Sequence, residues 1–108
     1  MKRLVTIAAL FLAASCIANA AGNADAGATK IEACMACHGA HGKAVAPMYP
    51  NLAGQNALYL EHALEAYRDG RRRGGTADIM APQAANLSDE DIADIAAYYS
   101  EQCIACSQ

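Results

Sequence analysis

Cys34-Met35-Ala36-Cys37-His38 places two thiols and an imidazole within about one turn of helix. Thiols at positions i and i+3 share one side of a helix, so both can bond a single flat molecule, and the adjacent imidazole is aimed at it from the same side. A haem meets all three demands: two vinyl groups form thioethers and the iron takes a histidine nitrogen. Cys34 and Cys37 are therefore the expected covalent haem anchors, and His38 the expected proximal iron ligand. Two other uses of such cysteines fit less well. A redox CxxC motif belongs beside a βαβ unit, and no strand periodicity surrounds this one. A zinc half-site needs a second pair of ligands placed with it. The chain does end in a second pair, Cys103-Ile104-Ala105-Cys106, but Ser107 stands where a haem motif would have histidine. One haem and a local disulfide at the tail are expected. A link to a partner, or a redox role for the tail, remains open.

Several elements must position these groups. Residues 21–29 form a short lead-in in which Asn23 or Asp25 can cap a helix running to about Cys34. Residues 39–55 are broken by Gly39, Gly42, Pro47, Pro50 and Gly54, and read as a loop. Between Asn56 and Asp69 the apolar positions Ala57, Leu60, Leu64 and Tyr67 recur at helical spacing, with Glu61, Glu65 and Arg68 between them, until Gly70. A basic turn, Arg71-Arg72-Arg73, then leads through Gly74 and Gly75 to a second loop carrying Met80 and Pro82. The last helix opens at Ser88, has acids in its first turn, and carries Ile92, Ile95, Ala96 and Tyr99 as its apolar stripe. The expected fold is all-α, with about three main helices held around long loops.

Composition bears on where such a chain works. Residues 1–20 begin with Lys2 and Arg3, run apolar over the eleven residues Leu4 to Ala14, and end in Ala18-Asn19-Ala20. That is the pattern of a secretory signal, and its apolar run is well short of the roughly 20 residues that span a bilayer. Cleavage after Ala20 is expected, with a periplasmic destination. Cys16 offers a second route, as a lipid acceptor, and export is common to both. The remaining domain, residues 21–108, has 88 residues and no Trp or Phe, its only aromatic side chains being five tyrosines. So small a domain needs help to fill a core, and a large apolar cofactor supplies it. It carries six Lys and Arg against eleven Asp and Glu, a net charge of −5. That balance argues against nucleic acid as a partner.

With these motifs in order, the chain resembles a small bacterial class I cytochrome c with one haem. The resemblance runs through Cys34-Met35-Ala36-Cys37-His38-Gly39, Pro50-Asn51-Leu52-Ala53-Gly54-Gln55, Met80-Ala81-Pro82, and Asn86 to Ile92 leading into Ala97-Tyr98-Tyr99. It implies the class I fold and one-electron transfer rather than enzymatic catalysis, with an oxidase, reductase or dehydrogenase as redox partner. A monomer without a transmembrane anchor is expected. It also implies Met80 as the sixth ligand. Position favours the same choice, since Met35 lies inside the cysteine bridge and Met48 follows a proximal-side proline. His62, on the middle helix, is the competing ligand, and His41 reads as a surface residue. The carbonyl that receives the second ring proton of His38 is assigned by the resemblance to Pro47, with Pro50 the neighbouring alternative. Arg71, Arg72 and Arg73 are either a solvated turn, a counter-charge for a haem propionate, or a docking patch. Two further functions stay open: an electron-accepting subunit of a dehydrogenase, and a haem enzyme or sensor with an open sixth position.

Overall fold

The computed structural model describes residues 21–106, which fold into five α-helices and one turn of 3-10 helix, with no strand among the described residues. The expected signal, its cleavage point and Cys16 lie outside the described residues.

The amino-terminal segment is two helices instead of one: α1 (Ala24–Ala28) and α2 (Glu32–His38). Asn23 caps α1 by accepting from the Ala26 N–H at 3.0 Å. Thr29 ends it, because its amide and its hydroxyl both bond the Ala26 carbonyl, an arrangement that competes with helix continuation. The break lets α1 lie on the last helix while α2 turns inward, with Ile31 at the joint, 3% exposed, in the core. The cysteine motif occupies the body of α2, and Gly39 caps its end.

α3 (Ala57–Arg68) follows the apolar spacing of its sequence, capped by Asn56 and ended at Asp69 and Gly70. α5 (Asp89–Ser100) starts in a reciprocal capping box, in which Ser88 accepts from the Asp91 N–H and Asp91 accepts from the Ser88 N–H. Its stripe is buried as expected, with Ile92, Ile95, Ala96 and Tyr99 all at 3% exposure or less.

Met80 does not sit on a loop. It belongs to α4 (Ala77–Ala84), which packs on α3. The helix enters through three successive i→i−3 bonds, from Ala77, Asp78 and Ile79 to Gly74, Gly75 and Thr76. Asp78 reaches back to accept from the Gly74 N–H at 2.9 Å, closing the turn that Gly74 and Gly75 open. α5 packs on both α1 and α3, and the core where they meet is Ile31, Leu60, Ile95, Ala96 and Tyr99.

Candidate haem site

On α2, His38 is 6% exposed, and its Nδ1 lies 2.9 Å from the carbonyl oxygen of Pro50. A ring N–H donated there fixes the tautomer and leaves Nε2 for a metal. The acceptor is thus Pro50, and the expectation of Pro47 is corrected. The reason lies in how residues 39–55 fold. Tyr49 N–H bonds the Ala46 carbonyl at 3.1 Å, so Pro47 and Met48 form the exposed tip of a turn. Immediately after it, Asn51 accepts from the Ala44 N–H at 2.7 Å, and the amides of Leu52 and Ala53 both bond the Gly42 carbonyl. The chain is thereby doubled back over the end of α2, carrying residue 50 across the imidazole. Tyr49 adds an edge contact, its ring centroid 6.4 Å from that of His38.

From the other side, α5 secures the residues just after the motif. Tyr99 donates to the Gly39 carbonyl at 3.1 Å and Tyr98 to the Ala40 carbonyl at 2.6 Å. Burial pushes the Tyr99 phenol up, so it stays a donor. Cys34 and Cys37 are both half-buried. Burial also pushes the Cys34 thiol above its usual range.

The motif opens on a cavity of about 630 Å³, within the range of small-molecule and cofactor pockets. Cys34, Cys37, His38 and Met80 all line it, together with apolar groups from α3 and α5. Met48 lines it as well, from the exposed turn tip at 70% exposure, whereas Met80 is half-buried on α4. His62 is exposed on α3 and is not part of the lining; His41 is exposed and lies 3.3 Å from the Gln102 side chain. Two thiols, one imidazole with its second nitrogen occupied, and an apolar wall are what a covalently held haem requires, so the residues present fit it.

Of the three arginines after α3, Arg71 pairs with Asp69 at 3.3 Å, while Arg72 and Arg73 line the cavity. At the tail, Cys103 is disulfide-bonded. The side chain of Cys106 lies outside the described residues, and so does the expected pairing with it.

Comparison with known proteins gives the family. The sequence profile of the cytochrome c family matches residues 24–102. The chain is 63% identical over 82 residues to cytochrome c-554(548) of Halomonas halodenitrificans, covering 76% of this chain and 99% of that one. It is 44% identical over 102 residues to cytochrome c4 of Pseudomonas aeruginosa, covering 94% of this chain but 49% of that one. The crystal structure of reduced recombinant cytochrome c4 from Pseudomonas stutzeri superposes with a TM-score of 0.62 at 39% identity, over 77% of this chain and 47% of that one. The chain thus spans nearly the whole of the first relative and about half the length of the cytochromes c4.

Proposed function

Because this chain belongs to the cytochrome c family and carries a covalent haem c, an electron carrier's cofactor, we propose that it is an exported one-electron shuttle with His38 and Met80 as axial ligands. Cys34 and Cys37 are the thioether anchors. The observation that carries the reading is the His38 Nδ1 to Pro50 carbonyl contact at 2.9 Å, made by a histidine that lines one cavity with Met80. Haem c supplies a one-electron couple at its iron. The protein's part is to keep that couple the same before and after each transfer. His38 donates to a backbone carbonyl, which fixes its tautomer and ring orientation. Met80 offers a soft, neutral thioether from a helix packed on α3, which favours the reduced state relative to a nitrogen ligand. Apolar side chains from α3 and α5 exclude water, lowering the reorganisation that a change of charge demands. With both axial positions filled by protein, nothing is left for a substrate to bind, and the partners are other redox proteins that dock briefly.

Export by residues 1–20 and a Cys103–Cys106 bridge complete the proposal. No helix among the described residues is long and apolar enough to cross a membrane. The ligand assignment is tested by Met80→Ala, which should abolish the ferric sulfur-to-iron absorption band and lower the reduction potential. His62→Ala should leave both nearly unchanged. A spectrum altered by His62→Ala and not by Met80→Ala, in a protein that lacks the band to begin with, would replace the pair by two histidines.

A further inference from the structure

Among the described residues that line the cavity, the only ones with a fixed charge are Arg72 and Arg73; no carboxylate and no lysine of that set takes part. That is unexpected for a domain in which acids outnumber bases by eleven to six. The neighbouring cations are neutralised within the protein. Arg68 holds Asp89 at 2.8 Å and Asp69 at 3.3 Å, and Arg71 holds Asp69. Arg72 and Arg73 meet no carboxylate among the described residues.

Both are nevertheless held in place by uncharged partners. The guanidinium of Arg72 lies 4.8 Å above the ring centre of Tyr67, a cation–π contact that steers the group without cancelling its charge. Arg73 donates Nε–H to the Gly70 carbonyl at 2.9 Å. Gly70, at φ +72°, is what allows it: a Cβ there would stand 2.6 Å from Arg73 Nη2. Two fixed, uncompensated guanidiniums on an otherwise uncharged wall form a seat for a paired anion. The haem that occupies this cavity brings two carboxylates of its own, its propionates. Guanidiniums favour carboxylates through charge-assisted, often bidentate hydrogen bonds.

We infer that Arg72 and Arg73 are the propionate-holding residues of this cytochrome and that, through that contact, they raise its reduction potential. The inference rests on the shuttle reading above and extends it to the outer edge of the cofactor. The sign follows from charge. Oxidation adds one positive charge at the iron, which unscreened propionates favour; guanidiniums bound to those propionates remove that preference. Arg72 and Arg73 touch the cofactor and not the iron, so they tune the couple without ligating it.

The test is redox titration of the purified haem protein and four variants. Arg72→Gln/Arg73→Gln should shift the equilibrium toward the ferric form by at least about tenfold, which is 59 mV for one electron. The ferric sulfur-to-iron band should persist. Arg72→Lys/Arg73→Lys should recover most of the potential, since charge is kept. Arg71→Gln, an equal loss of charge one residue away but at a paired arginine, should move it much less. Arg73→Gln alone should lie between the wild type and the double variant. An unchanged potential in the double glutamine variant overturns the inference, even if its salt-dependent reaction with a partner slows, which would make the pair a docking patch. An equal shift from Arg71→Gln overturns it as well, by reducing the effect to net charge. Absence of the band in the unmutated protein would instead defeat the Met80 assignment, and leaves the arginine result to be judged on potential alone.

Discussion

Asp94 is a buried carboxylate, 4% exposed, in the middle of α5. Two donors hold it: the Lys30 ammonium at 2.7 Å and the Asn23 amide at 2.7 Å. They keep its carboxyl below the usual carboxylate range, with the Lys30 bond the larger cause, and Lys30 is raised in turn. A depressed carboxyl contributes stability above its unfolded value of about 3.9, and that stability is lost as pH falls through the folded value. The raised Lys30 contributes fully at every pH below the ordinary lysine range, so the acid limb belongs to the carboxylates. Asp94→Asn should therefore lower stability at neutral pH and flatten its decline below about pH 4. Denaturant midpoints of the two proteins, compared across that range, check it; parallel pH profiles would contradict it. Nothing in the sequence separates Asp94 from the other acids of its helix, because the donors that single it out come from residues 23 and 30. Pro47 and Pro50 pose the same difficulty. Both prolines are visible in the loop, and the choice between them is made by Asn51 and the Gly42 carbonyl. Cys34, Cys37 and His38 need no such help, since their spacing alone encodes the shape of the cofactor.

Where α1 crosses α5, the contact is made on backbone. A Cβ on Gly27 would lie 2.1 Å from the Asp94 carbonyl oxygen and 2.7 Å from its carbon, neither of which can move aside. Gly27→Ala sets two effects against each other: up to about 1 kcal/mol of helix propensity gained, and overpacking that typically costs about 1–3 kcal/mol. Because the clash is with backbone, the second wins, and Gly27→Ala should lower the denaturant midpoint with an unchanged denaturant dependence. A stabilised variant would show that α1 can lift off α5 freely. Elements with uninterrupted periodicity, α3 and α5, are legible from residue types together with their caps. α4 is not, because Gly74, Gly75 and Pro82 in so short a span read as loop. Its one sequence signal is Asp78, placed to close on the Gly74 amide. The break between α1 and α2 carries no glycine or proline; it arises because α1 must follow α5 while α2 must bring His38 to the cavity.

At the scale of the whole domain, the core and the cofactor pocket are the same object. Leu60, Ile95, Ala96 and Tyr99 belong to both. A dry void of the cavity's 630 Å³ would cost about 15 kcal/mol at 24 cal/mol per Å³. That is as large as the entire stability of a typical domain, about 5–15 kcal/mol. Flooding the space avoids that penalty only by wetting the same core side chains. Cys34→Ala/Cys37→Ala, made without haem, should therefore show no near-ultraviolet circular dichroism and no cooperative unfolding transition. A sharp transition in that variant would mean the helices pack without their cofactor. Composition foreshadows this dependence, in a small chain with no Trp or Phe outside its first twenty residues. The shape of the space it leaves is set only when α3, α4 and α5 come together.

The tyrosine hydroxyls that tie α5 to residues 39 and 40 also set an order in time. They reach across 60 and 58 residues of sequence, from the end of the domain to the segment just past its haem motif. A polypeptide is made from its amino terminus, so the thiols at 34 and 37 exist well before either hydroxyl does. Until α5 arrives, nothing from that end of the chain restrains the motif, and the thiols stay open to attachment chemistry. An unfolded chain is in this sense the open form, and the docking of its last helix is the closure.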